Sequence, residues 1–143
     1  MIFVVENEKE LGEAVWREIK DKLNGGLVVG LQGDLGAGKT TLVREIARYL
    51  GVKDKVASPT FNLRKSYPVH SERIECLQHI DLYRIASPKQ LDWEEVREWL
   101  VQKNCLTFVE WPENLPKLEN ALGLEIVIEP IDREKRKVEL KWM

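Results

Sequence analysis

The sequence has no long apolar run, no excess of one charge and almost no cysteine, and each shortage excludes a class of protein. None of its apolar runs approaches the roughly 20 residues that a membrane-spanning helix needs. The opening MIFVVENEKE has four apolar residues after Met1 before it turns acidic, too short for the apolar core of a signal peptide and lacking its basic flank. The expected location is therefore the cytoplasm, with no membrane partner. Lys and Arg number 22 against 24 Asp and Glu, for a formal net charge of −2, and the two signs are interspersed. A strong electrostatic grip on nucleic acid by this chain alone is disfavoured. The two cysteines, Cys76 and Cys105, lie far apart with no second Cys or His at metal-ligand spacing. Neither a zinc site nor a disulfide framework is expected, and each reads as a small apolar strand residue.

Repeats, low-complexity tracts and dividing linkers are missing as well. With 143 residues, 43% apolar and 32% charged, the composition is that of a globular chain, and residues 1–143 are expected to form a single domain.

Ile2 to Val5 reads as a short strand, followed by Asn7 as a helix cap with Glu10 three residues on. Leu11, Val15, Ile19 and Leu23 give the ensuing helix one apolar face, which Asn24-Gly25-Gly26 ends. The short apolar run Leu27 to Leu31 suits a strand covered on both faces of a parallel sheet. Leu42, Val43, Ile46, Ala47 and Leu50 mark a second helix, closed by Gly51. Two candidate strands between Phe61 and Leu82 pair as a hairpin, and Ser87-Pro88 with Gln90 predicts a helix start with Val96, Trp99 and Leu100 facing inward. Cys105 to Val109 is a second buried strand. Leu124 to Glu129 and Lys137 to Trp142 are two more, joined by a charged turn. The expected class is α/β, a mainly parallel sheet flanked by helices with antiparallel strands or hairpins at its edges.

Between the strand ending at Leu31 and the second helix stands Gly33-Asp34-Leu35-Gly36-Ala37-Gly38-Lys39-Thr40, a full match to G-x-x-x-x-G-K-[ST] followed by Thr41. Glycines let the backbone wrap closely so that successive N–H groups meet phosphate oxygens, and the helix N-terminus adds to the attraction. Lys39 is then the residue for the outer phosphates and Thr40 for Mg²⁺. A chance match in a chain of this length is on the order of one in two hundred, and the strand and helix on either side lower it further. The fold type predicted is that of the P-loop NTPases.

Such a loop needs an acidic partner near the metal at the end of a neighbouring buried strand. Glu110 directly follows Leu106-Thr107-Phe108-Val109 and takes that place; the alternative is a solvated strand-end carboxylate. Asp81, in His79-Ile80-Asp81-Leu82-Tyr83-Arg84, shares one strand face with His79 and Tyr83. It is placed to orient a water, and a strand-end Asp capping a turn is the equal alternative. His79 reads as a structural histidine. Thr60, in Ser58-Pro59-Thr60-Phe61, occupies the interval where P-loop switch proteins sense the last phosphate, or belongs to an ordinary Pro-shaped loop. Trp111, beside Glu110, is placed to contact nucleotide or a partner. The remaining tryptophans read as core or edge residues.

GDLGAGKTT, SPTF, HIDLYR and VEW, in that order, resemble the TsaE family, small bacterial ATPases needed for threonylcarbamoyladenosine modification of tRNA. The likeness runs from the first helix to the last strand. It implies ATP or ADP with Mg²⁺, and action with TsaB and TsaD, so that tRNA is met only through the complex. By the same resemblance Thr40 and Glu110 bind Mg²⁺, Thr60 belongs to a phosphate-sensing segment, Asp81 serves hydrolysis, and Trp111 and Arg136 lie close to nucleotide. The chain departs from the family at Leu91-Asp92-Trp93, where a Gly commonly precedes the helix.

Two alternatives remain open: a small-molecule kinase, though no Arg-rich lid insertion is visible, and a nucleotide-dependent binding module with little hydrolysis. A GTPase is disfavoured by the lack of an N-K-x-D segment.

Overall fold

The computed structural model describes residues 1–59 and 62–143. Its elements run β1 (Ile2–Val5), α1 (Glu8–Ile19), β2 (Leu27–Gln32), α2 (Lys39–Tyr49), β3 (Arg64–Pro68), β4 (Cys76–Asp81), α3 (Trp93–Leu100), β5 (Cys105–Glu110), β6 (Leu124–Pro130) and β7 (Arg136–Trp142). Short 3₁₀ turns fill several connections.

One sheet of seven strands, in the order β1-β7-β6-β2-β5-β4-β3, organises the chain. Strands β6, β2, β5 and β4 are parallel neighbours, while β7, β1 and β3 are added antiparallel at the edges. All six residues of β5 are buried, as expected for a central parallel strand covered on both faces.

Helices α1 and α2 cover one face. The Asn7 side chain accepts a hydrogen bond from the Glu10 amide at 2.9 Å and starts α1. Leu11, Val15 and Ile19 are then buried beneath it with Leu42, Val43 and Ile46 of α2. Gly12 permits the close approach of the two helices, since a Cβ there would stand 2.5 Å from Glu45 Cβ. The other face is covered by α3 and by the 3₁₀ turns after β5, which bury Ile80, Val96, Val109, Leu115 and Leu118.

Two expectations need correction. The Ser87 cap forms with its Gln90 partner, but it opens only a 3₁₀ turn, Pro88–Gln90. Leu91 turns extended and packs on the second core, and the Asp92 side chain accepts from the Glu94 amide at 3.0 Å to start α3 afresh. A second capping residue so close behind the first competes for the start. Trp99 and Leu100 are only partly buried against this core.

The cysteines are the second correction. Cys76 and Cys105 form a disulfide, with their Cα atoms 4.7 Å apart. They begin β4 and β5, which pair in parallel with these residues directly opposite each other. A separation of 29 residues in sequence concealed that adjacency. Among the described residues no helix is long and apolar enough to cross a membrane.

The disulfide closes a long loop, so replacing both cysteines with serine should lower the unfolding free energy by about 2–4 kcal/mol. Denaturant titration of oxidised, reduced and substituted chains checks this, and equal midpoints for all three would contradict it.

Candidate functional site

Strands β2, β4 and β5 end on the same side of the sheet, and the residues singled out by their chemistry gather there. Leu31 of β2 is in register with Glu110, and Asp81 of β4 is in register with Glu110 from the other side. Past Gln32 the chain turns at Gly33, where a Cβ would lie 2.6 Å from the Ile128 carbonyl oxygen. Only glycine lets the loop press so closely on β6. Gly36 and Gly38 take φ of 81° and 113°, left-handed backbone that side chains disfavour. The Ala37 amide closes the loop onto the Asp34 carbonyl at 2.9 Å.

Arg136 fastens this loop from the β6–β7 hairpin. Its Nε donates to the Ala37 carbonyl at 2.8 Å, and its other nitrogens donate to the carbonyls of Asp132, Arg133 and Lys135. The guanidinium grips loop backbone and is absent from the lining of the cavity beyond it.

That cavity holds about 270 Å³ and is lined by Gly36, Gly38, Lys39, Thr40 and Thr41, together with Asp81, Glu110 and Trp111. Leu35 borders it and is otherwise exposed. Thr60 lies outside the described residues.

Lys39 is 4% exposed. Its Nζ donates to the Gly33 carbonyl oxygen and stands 3.6 Å from the centre of the Trp111 ring. Burial pushes the Lys39 pKa down, against the opposing pull of Glu110, Glu113, Asp81 and Asp34. Trp111 itself is strained: it sits at φ 60° and ψ 48° immediately before a proline. A left-handed residue with a side chain costs about 1–2 kcal/mol, and such outliers concentrate at functional sites. The strain turns the indole back over Lys39 and against the Tyr83 ring, 5.2 Å between centres.

Glu110 is 3% exposed and accepts two hydrogen bonds on Oε2, from the Thr40 hydroxyl at 2.8 Å and from His79 Nε2 at 2.5 Å. Asp81 accepts from the Ser58 hydroxyl at 2.8 Å and from the Tyr83 amide at 3.0 Å. The oxygen pair of Thr40 and Glu110 suits a hard cation that is otherwise held by phosphate and water.

Several wall residues were not singled out from sequence: Glu8, Ser58, Pro59, Leu63, Tyr83 and Arg84. Ser58 and Pro59 are in the same short motif as Thr60, and Tyr83 and Arg84 in the same one as Asp81, so the motif was visible but the division of labour inside it was not. Glu8 carried no such signal, because its nearness depends on how α1 packs.

A glycine-rich loop between a buried parallel strand and a helix, with a carboxylate ending the adjoining strand, defines an α/β fold of the P-loop NTPase type. The chain belongs to the TsaE family. The family described as "Threonylcarbamoyl adenosine biosynthesis protein TsaE" matches residues 5–138. The TsaE protein of Rickettsia conorii is 35% identical over 131 residues, spanning 91% of this chain and 72% of that protein. The Synechocystis TsaE is 38% identical over 104 residues, 71% of this chain and 64% of that protein. Among solved structures, Bacillus subtilis YdiB superposes with a TM-score of 0.72 at 26% identity, covering 99% of this chain and 84% of that one. The family's role is in tRNA threonylcarbamoyladenosine biosynthesis.

Because burial holds the Lys39 pKa below its ordinary value of 10.5, the unfolded chain binds this proton more tightly than the folded one. Folding then carries a cost at neutral pH that disappears as pH rises toward 10.5. Lys39→Met should therefore raise the melting temperature of the nucleotide-free chain by about 2–4 °C at neutral pH, with the gain shrinking in alkali. Calorimetry at two pH values checks both the sign and the trend.

Proposed function

We propose that this chain binds ATP with Mg²⁺ and hydrolyses it, and that this ATPase serves tRNA threonylcarbamoyladenosine biosynthesis together with TsaB and TsaD. The observation that carries the reading is the 2.8 Å contact between Thr40 and Glu110, residues 70 apart in sequence that meet at the wall of the cavity. A threonine hydroxyl opening the loop helix and a buried carboxylate from the next strand form the donor set that a phosphate-bound Mg²⁺ uses. When bound there, Mg²⁺ supplies charge neutralisation on the outer phosphates.

The chain's own residues do the rest. The loop from Gly33 through Thr41 cradles the phosphates with backbone N–H groups. Lys39 exchanges the Gly33 carbonyl and the Trp111 face for phosphate oxygens, and the indole remains as a lid on the same side. Arg136 keeps the loop in shape through the Ala37 carbonyl. Asp81 orients the attacking water, and Thr60 belongs to the segment that senses the last phosphate. The interspersed surface charge fits a protein that meets tRNA only through its partners, in the cytoplasm. The Cys76–Cys105 bond is compatible with that compartment in organisms whose cytoplasm maintains disulfides, as in hyperthermophiles.

One observation favours a second reading, a nucleotide-dependent binding module with little hydrolysis: both Asp81 oxygens are already engaged, by Ser58 and by the Tyr83 amide. Each oxygen keeps a lone pair for a water, but a carboxylate oriented by Ser58 and the Tyr83 amide is not free to turn toward one, so slow turnover by the isolated chain is expected under either reading.

ATP hydrolysis measured alone and with TsaB and TsaD, with Lys39→Ala as the blank, separates the two. The ATPase reading expects a partner-dependent rise that Lys39→Ala abolishes and that Asp81→Asn and Glu110→Gln each cut by about a hundredfold or more. If those two carboxylate variants support tRNA modification as well as the parent chain while Lys39→Ala does not, the binding module takes its place. Transfer of phosphate to a small acceptor would instead point to a kinase.

A further inference from the structure

His79 occupies the middle of β4, between Lys65 of β3 and Phe108 of β5, and is fully buried. Its Nε2 meets Glu110 Oε2 at 2.5 Å, while its Nδ1 has no hydrogen-bond partner among the described residues. An ionised carboxylate can only accept, so with Glu110 in that form Nε2 is the donor, and this is the ring's one polar contact among the described residues. An apolar side chain of similar size would fill the same space without leaving a buried nitrogen unpaired. Packing alone does not account for an imidazole here.

Glu110 Oε2 is held from two sides, by His79 and by Thr40. Thr40 is also the residue whose hydroxyl oxygen is offered to the cation; it can still donate its hydrogen to Glu110, but its place is then set by the cation as well. His79 is the support of Glu110 that is fixed within the sheet. Strand alternation places it on the same side of β4 as Asp81, two residues on, so one strand delivers a support for Glu110 and a carboxylate for the cavity.

We propose that His79 is a positioning residue of the metal site, donating from Nε2 to fix the Glu110 carboxylate for a divalent cation. The inference rests on the reading of Thr40 and Glu110 as Mg²⁺ ligands, and it adds a residue that reaches the metal only through another.

The test measures Mn²⁺ binding to the full chain saturated with ADP, by electron paramagnetic resonance, and ADP binding in EDTA by calorimetry. His79→Leu keeps the bulk and loses the donor; His79→Gln keeps an amide N–H near the Nε2 position. The Leu variant should bind Mn²⁺ about 10- to 100-fold more weakly, the usual effect of removing a hydrogen-bond partner of a metal ligand. The Gln variant should recover most of that loss, and metal-free ADP binding should be the same in all three. Should the Leu variant not fold, His79→Asn, whose amide is one bond too short, replaces it with the same expectation. Parental Mn²⁺ affinity in the Leu or Asn variant overturns the proposal. So does an equal loss in the Gln variant, which would make the residue a packing element. Glu110→Gln separates the two levels: if it too binds Mn²⁺ like the parent, the metal reading itself falls and takes this inference with it.

Discussion

Parallel pairing of β2, β5 and β4 in one register is the constraint on which the site depends. It sets Leu31, Glu110 and Asp81 side by side at the carboxyl ends of three adjacent strands. The loop that leaves β2 must therefore rise next to the carboxylate that ends β5. Two helices on one face and α3 with the 3₁₀ turns on the other bury β5 throughout and the middles of β2 and β4, and that burial is what makes slippage costly. The disulfide joins β4 to β5 at the opposite end of the same pair, so both ends of the register are tied, by a covalent bond at one and by side-chain hydrogen bonds at the other.

The charges at the site are held in ways that trade stability for readiness. Lys39 is taken out of water and given a carbonyl and an indole face in place of an anion, an arrangement in which burial outweighs the attraction of the nearby carboxylates. Trp111 adopts a backbone conformation that a side chain and a following proline both oppose. Neither feature helps the chain fold. Both make sense if an anion is to be met at this place, because an under-compensated cation under an apolar ring gains most from it.

The motif residues were legible because their chemistry is tied to local geometry. A loop of that spacing cannot do without its glycines, and it announces itself between a strand and a helix. The carboxylate Glu110 was legible for a similar reason, since it ends an apolar run that had to be central. The roles of Ser58 and His79 were not. Each is defined by a partner on another element, Asp81 for the first and Glu110 for the second, and no periodicity carries that information. Arg136 was tied to the nucleotide by resemblance, and the structure adds its hydrogen bond to the backbone of the loop, which the sequence did not signal. The disulfide was misjudged because Cys76 and Cys105 become neighbours only when β5 is chosen as the partner of β4.

By itself the sequence determined most of the strands and helices, the glycine-rich turn between β2 and α2, and the family to which the chain belongs. These depend on hydrophobic period, capping residues and glycine conformation, which act over a few residues. Tertiary structure decided which carboxylate touches Thr40, which histidine holds that carboxylate and which cysteines join. Those outcomes depend on strand order and register, properties of pairings between distant segments that local chemistry constrains but does not select.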